Sequence, residues 1–343
     1  MNSGLIFEDQ ELQELLPPFV LPSKKKLPLG VKKKKVILIA GPTGVGKTAL
    51  SLVIAQAVGG EVISADSMQV YRGMDIGTAK VGLKERNEVP HHLIDSRDLD
   101  EVANVVEFYH EAIQAIHEIL AKGHVPIVVG GTGFYLHALI YGPPKGPPSQ
   151  PRVRECLEQQ IEERGSLTLY QELAALDPEY AKTITPQDRH KIIRALEIMT
   201  ITGSPVSQFA QDKEEVNEEF DFRCWFLYVP KERLHPIIEA RCEQMVKAGL
   251  LEEVKVLKEE GLEANSSASS AIGYRQALSF LRSDQTEEDF KNFITDFKRA
   301  SRALAKRQYT WFRKEPLFRW LDVDAIDREM ALEMIIQDYE FSF

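Results

Sequence analysis

The residues Gly41-Pro42-Thr43-Gly44-Val45-Gly46-Lys47-Thr48 have the spacing G-x-x-x-x-G-K-T of a phosphate cradle. Glycines in such a turn let backbone N–H groups point inward at a polyphosphate, and the following helix N-terminus adds a positive dipole. Gly41, Thr43, Gly44, Val45 and Gly46 are the expected diphosphate-binding backbone. Lys47 is expected to contact phosphate oxygens, and the Thr48 hydroxyl to reach a Mg²⁺ ion. The motif specifies a phosphate chain and does not by itself specify ATP. Two further residues stand where chemistry is possible. Asp66 follows a short apolar run, and Thr132 follows Gly130-Gly131. Asp66 can be read as a helix cap, as a Mg²⁺ ligand, or as a general base for an incoming nucleophile.

Such residues meet only if the elements that carry them end at one edge of a sheet. Val36–Ala40 is an all-apolar run that suits a buried parallel strand. A helix is predicted over 49–58, a second strand at Glu61–Ser64, an amphipathic helix at Val105–Lys122 closed by Gly123, and a third strand at Val125–Val129. This β-α-β alternation predicts an α/β fold: a P-loop NTPase-like parallel sheet with helices on both faces. Ligands of such sheets bind beyond the carboxyl ends of the strands, which gathers the P-loop, Asp66 and Thr132. The third strand ends in Gly130-Gly131-Thr132, not in the aspartate that assists Mg²⁺ in many P-loop NTPases.

Gly142-Pro143-Pro144-Lys145-Gly146-Pro147-Pro148 is a boundary that neither helix nor central strand tolerates. The organisation expected is a poorly ordered basic tail at 1–33, core at 34–145, an inserted helical lid subdomain at 146–220, core again with basic C-terminal helices at 221–325, and a tail helix at 326–343. A strand at Arg223–Val229 returns to the sheet, and long helices follow from Leu234 to Arg313.

At 343 residues, 43% hydrophobic and 27% charged, the chain has the composition of a globular protein. Cys156, Cys224 and Cys242 are odd in number and lack metal spacing, so reduced thiols are expected. No run of 18 apolar residues and no signal-like N-terminus is present, so a cytoplasmic location without a membrane partner is expected. The net charge of −10 is segregated: Lys298–Lys314 holds seven basic residues and no acid, and Asp212–Asp221 holds six acids and one lysine. Trp311 within the basic run is expected in the core, and His91-His92 is expected to pack or hydrogen-bond.

Asp66-Ser67-Met68-Gln69-Val70-Tyr71, Asp75-Ile76-Gly77-Thr78-Ala79-Lys80, His91-His92-Leu93-Ile94-Asp95, Gly130-Gly131-Thr132-Gly133-Phe134-Tyr135, Arg194-Ala195-Leu196-Glu197, Ile272-Gly273-Tyr274-Arg275-Gln276 and Ala305-Lys306-Arg307-Gln308 occur in this order after the P-loop. Together they resemble the tRNA dimethylallyltransferases (isopentenyl-tRNA or IPP transferases) over about residues 35–325. The resemblance implies that the P-loop holds the diphosphate of dimethylallyl diphosphate, the leaving group, with Mg²⁺ as cofactor and no ATP consumed. The product is N6-isopentenyladenosine at the adenosine 3′-adjacent to the anticodon. Asp66 and Thr132 become the catalytic residues, Asp66 taking the proton of the adenine amine, and Arg194 an additional diphosphate ligand.

For the tRNA anticodon stem-loop, the same resemblance implicates Asp66, Ser67, Met68, Gln69, Thr132, Arg154, His190, Lys191, Ile192, Ile193, Arg194, Tyr274, Arg275, Lys306, Arg307, Gln308 and Arg313. Arg299 and Arg302 lie on the same basic helix at helical spacing. A monomer is expected. The absence of a C-terminal zinc finger before Phe343 fits the bacterial or organellar type. The competing reading is an ATP-dependent small-molecule kinase. It shares the P-loop and helical lid but does not explain the basic C-terminal helices.

Overall fold

The computed structural model describes residues 33–209 and 216–341. The basic leader, apart from its last residue, and residues 212–215 of the acidic 212–221 stretch therefore lie outside the described residues. Two compact units are present. Residues 33–143 with 216–341 form one, and 144–209 form the other.

The larger unit is built on six parallel strands: β1 (Lys34–Ala40), β2 (Gly60–Ser64), β3 (His91–His92), β4 (Val125–Gly130), β5 (Phe220–Tyr228) and β6 (Arg319–Asp322). Their order across the sheet is β3-β2-β4-β1-β5-β6. The β1 side chains alternate between two cores. Ile37 and Ile39 join one, and Val36, Leu38 and Ala40 the other. Helix α1 (Lys47–Val58) buries Leu50 and Ile54 in the first core, whereas α2 (Val105–Ala121) and α3 (Gly133–Tyr141) fill the second with Phe108, Ile116, Leu136 and Leu139. Apolar strands covered on both faces are the reason Val36–Ala40 of β1 and Val125–Val129 of β4 read as continuous hydrophobic runs.

The smaller unit has its own core. Helices α4 (Pro151–Arg164), α5 (Ser166–Leu176) and α6 (Arg189–Thr202) bury Val153, Leu157, Leu169, Leu173, Ile192, Ile193 and Leu196 together. Fully buried Glu197 accepts hydrogen bonds from the Ser149 hydroxyl, the Gln150 N–H and Arg194, tying the proline-rich entry segment to α6.

The chain then continues in the larger unit through α7 (Lys231–Lys247), α8 (Leu250–Glu259), α9 (Tyr274–Leu281), α10 (Glu287–Phe312) and α11 (Arg328–Glu340). Thr286 and Asp289 form a capping box that starts α10. The structure differs from expectation at the edges. β1 begins two residues early because Lys34 pairs with Glu219, and because the Lys35 ammonium takes the carbonyls of Tyr339, Glu340 and Phe341 at the end of α11. Both lysines thus anchor the start of β1. Helix α11 buries Ala331 and Ile335 in the first core, and its Asp338 accepts bonds from Arg223 and the Trp225 indole.

Candidate active site

The strand ends place the chemistry. The registers Ser64↔Val129 and Ala40↔Gly130 bring the carboxyl ends of β2, β4 and β1 level. Gly130 lies so close to Ala65 that a Cβ there would sit 2.1 Å from its carbonyl oxygen. That close approach lets the loops after β2 and β4 meet. The Ser67 N–H donates to the Thr132 hydroxyl oxygen at 3.2 Å. Asp66 Oδ1 accepts the Met68 N–H at 2.9 Å and, more weakly, the Gln69 N–H at 3.4 Å. Its second oxygen has no hydrogen bond among the described residues. No helix follows Asp66, so it caps the 67–70 turn and not a helix, and it does so with one oxygen, leaving the other for the base reading.

The P-loop connects β1 to α1. Gly46 adopts φ +95° at the helix N-cap, a conformation that L side chains avoid. The Lys47 ammonium rests on the carbonyls of Gly41 and Pro42, at 2.9 and 3.0 Å. Burial, then the neighbouring Arg241, lower its pKa to about 8, with Asp66 partly opposing them. Arg241, on α7, donates to the Thr43 hydroxyl at 2.8 Å and so is the second cation of the turn. Sequence reasoning missed it, because its only signal is a lone arginine in a mixed-charge helix. Arg194, expected at the diphosphate, is instead engaged inside the smaller unit, with Glu197 at 2.8 Å and the Pro147 carbonyl at 2.5 Å.

A chamber of about 1030 Å³ joins these groups. Lys47, Thr48, Asp66, Thr132 and Arg241 line it, with Met68, Ile238, Met245, Ile272 and Leu304 as apolar wall. Gln308, expected on tRNA, is buried in the site. It accepts the Thr43 N–H at 2.9 Å and donates to the Gly131 carbonyl at 3.0 Å, bridging the P-loop to the end of β4. The chamber lining also includes aromatic rings. Trp311, expected in the core, is 39% exposed, lies over Gly133, and makes an edge contact with half-exposed Phe134.

Other expected RNA contacts separate by burial and pairing. Lys306, Arg307, Arg313 and Arg275 are exposed, and none has an ion-pair partner among the described residues; Arg307 lines the chamber. Lys298, Arg299 and Arg302 are paired with Glu243, Asp296 and Glu239. The acid-free run thus finds its acids elsewhere, on α7 and on the preceding turn of its own helix. Tyr274 is fully buried and donates to Glu253 at 2.6 Å, so its side chain is removed from any RNA surface. Burial and the Glu253 charge push its phenol far up, keeping it a donor. Ser67, Met68 and Gln69 all line the chamber, and the Gln69 side-chain amide is occupied by Ser64 and Thr78. In the smaller unit, His190 and Lys191 are exposed, Arg154 pairs with Glu158, and Ile192 and Ile193 point into the core, which corrects their reading as contact side chains. His91 bonds to the Val89 carbonyl and His92 to Glu61.

Fold and site define a P-loop α/β protein in which a phosphate cradle with two cations shares a chamber with a carboxylate and a threonine. The chain matches the IPP transferase family over residues 69–315. It is 56% identical over 335 residues to the tRNA dimethylallyltransferase of Protochlamydia amoebophila, covering 97% of each chain, and 47% identical over 316 residues to that of Chlamydia pneumoniae, covering 92% of each. Among solved structures it is similar to the full-length tRNA isopentenylpyrophosphate transferase of Bacillus halodurans (38% identity, TM-score 0.65, covering 90% of this chain and 97% of that one). It is also similar to a eukaryotic dimethylallyltransferase acting on tRNA (32% identity, TM-score 0.73, covering 88% and 78%). The chain belongs to the tRNA dimethylallyltransferase family.

Proposed function

We propose that this protein transfers the dimethylallyl group from dimethylallyl diphosphate to N6 of the adenosine 3′-adjacent to the anticodon of tRNA, acting in the cytoplasm as a monomer. The carrying observation is the half-capped carboxylate of Asp66 facing the chamber that Lys47, Arg241 and the P-loop also line. In the reaction the amine nitrogen bonds to the allylic carbon as that carbon's bond to the diphosphate oxygen breaks. The proton lost by nitrogen passes to the free Asp66 oxygen, where general-base help is worth roughly 10²–10⁴ in rate. Negative charge grows on the leaving diphosphate, and Lys47 and Arg241, with the backbone of Gly44, Gly46, Lys47 and Thr48 that lines the chamber, stabilise it where it develops; the Val45 N–H, expected there too, is instead donated to the Pro42 carbonyl. Thr132, whose hydroxyl oxygen is occupied by Ser67, can still donate its own hydrogen to the substrate.

Thr48 is exposed on the chamber and would offer a hard hydroxyl oxygen to Mg²⁺. When bound, Mg²⁺ would add charge stabilisation to the diphosphate. Adenine inside a stem-loop must leave its stack to enter the chamber. Lys306, Arg307, Arg313, Arg275, His190 and Lys191 are exposed polar and basic groups suited to the RNA backbone. The test is incubation with radiolabelled dimethylallyl diphosphate, Mg²⁺ and unmodified tRNA. Label should appear on the RNA with one diphosphate released per transfer. No label on RNA, together with phosphate transfer from labelled ATP to a small acceptor, would make the protein a kinase.

A further inference from the structure

The loop Asp75–Lys80 lines the chamber through Gly77, Thr78, Ala79 and Lys80, and it is held by an unusual set of bonds. The Ala79 N–H reaches the Ile76 carbonyl and the Lys80 N–H the Asp75 carbonyl, which folds the loop into a single closed turn with Ala79 at φ +48°. That left-handed conformation costs a non-glycine residue about 1 kcal/mol, so the turn needs outside support. Three consecutive N–H groups at its start, on Asp75, Ile76 and Gly77, all point at the Glu253 carboxylate from 3.1, 2.7 and 3.2 Å. The phenol of Tyr274 fixes the same carboxylate at 2.6 Å. Its ring sits so close to Gly77 that a Cβ there would meet it at 2.4 Å. A nest of backbone donors suited to an anion is thus filled by the protein's own acid.

The turn is coupled to the reacting centre. Its Thr78 carbonyl accepts the Gln69 amide at 3.3 Å, the same amide's oxygen accepts the Ser64 hydroxyl at 3.2 Å, and the Gln69 N–H donates to Asp66 Oδ1. We infer that Glu253 is a positioning residue for the transfer reaction, setting the Asp66 loop through the 75–80 turn and Gln69. Glu253 itself is absent from the chamber lining. The inference rests on Asp66 being the proton acceptor.

The experiment is a double-mutant cycle with Glu253→Gln and Gln69→Met, measuring kcat for tRNA prenylation, Kd for inorganic diphosphate and Tm. Each single variant should lower kcat at least fivefold while the diphosphate Kd stays within twofold. The double variant should be no more than twofold worse than the worse single, because both act along one path. A smaller fall in kcat for either single, multiplicative losses in the double, or a joint loss of kcat, diphosphate binding and Tm in Glu253→Gln would overturn it. Should Glu253→Gln not fold, the Gln69→Met result decides by the same fivefold limit. Asp66→Asn is run alongside: if it keeps its activity, the assignment of the base fails. If it loses activity while Glu253→Gln keeps it, only the positioning role fails.

Discussion

Replacing Asp66 by asparagine separates the two duties of this side chain. The asparagine oxygen can still accept the Met68 and Gln69 N–H groups that Oδ1 accepts now, so the loop keeps its shape. The remaining atom becomes an NH₂ group, which meets the donor hydrogens of an incoming amine and cannot take a proton. The whole general-base contribution is lost, roughly 10²–10⁴ in rate, or about 2.7–5.4 kcal/mol of barrier. Diphosphate binding should hold, because Lys47, Arg241 and the P-loop amides are untouched. Asp66→Ala removes the cap as well. One good backbone bond and one long one are worth about 1 kcal/mol, which for a protein of this size lowers Tm by about 2 °C. Single-turnover transfer from labelled dimethylallyl diphosphate measures the first effect, titration calorimetry with diphosphate the second, and thermal melting the third. If Asp66→Asn keeps more than a tenth of the wild-type single-turnover rate, the carboxylate is not the base.

Three other perturbations follow from the same geometry. Lys47 is held near pKa 8 in the free protein by burial and Arg241, and only its charged form attracts diphosphate. Diphosphate affinity should therefore be flat below pH 7 and weaken toward tenfold per unit above 8, and a flat profile to pH 9.5 would remove Lys47 from the contact. Neutralising Lys306 and Arg307, both exposed and without an ion-pair partner among the described residues, should flatten the salt dependence of tRNA binding by about 1.5–2 in log–log slope. Neutralising Lys298 and Arg302, which Glu243 and Glu239 already hold, should leave the slope within 0.5 (roughly half of one phosphate contact); equal effects from both pairs would refute the division. Glu61 is buried, which raises its pKa, but His124, His92 and Lys122 outweigh that and bring it down from 4.5 to about 2. A depressed carboxylate stabilises the fold above its unfolded pKa, and that stability is lost as pH falls from about 4.5 toward 2. Full desolvation would make the shift worth about 3 kcal/mol. The half-exposed Lys122 and His124 reduce this to about 1–2 kcal/mol. Urea melts of Glu61→Gln and wild type should differ by that amount at pH 6, narrow as pH falls below about 4.5, and converge only as pH passes below about 2; a gap independent of pH would point to packing instead.

Local chemistry was legible without coordinates wherever the chain itself carries the constraint. The glycines and Lys47-Thr48 of the P-loop must be contiguous, because neighbouring backbone N–H groups wrap one phosphate chain. Val36–Ala40 and Val125–Val129 announce buried strands because both of their faces are covered. The meeting of Asp66 with Thr132 followed from the rule that loops beyond parallel strand ends share an edge. What tertiary structure decided are partnerships between residues far apart in the chain. Arg241 and Gln308 reach the P-loop from α7 and α10, Glu253 reaches the 75–80 turn from α8, and Glu239 and Glu243 quench two of the seven cations in a basic run that looks unopposed when read along the chain. A side chain's environment depends on which helix face packs against which strand end, and residue order carries no record of that packing.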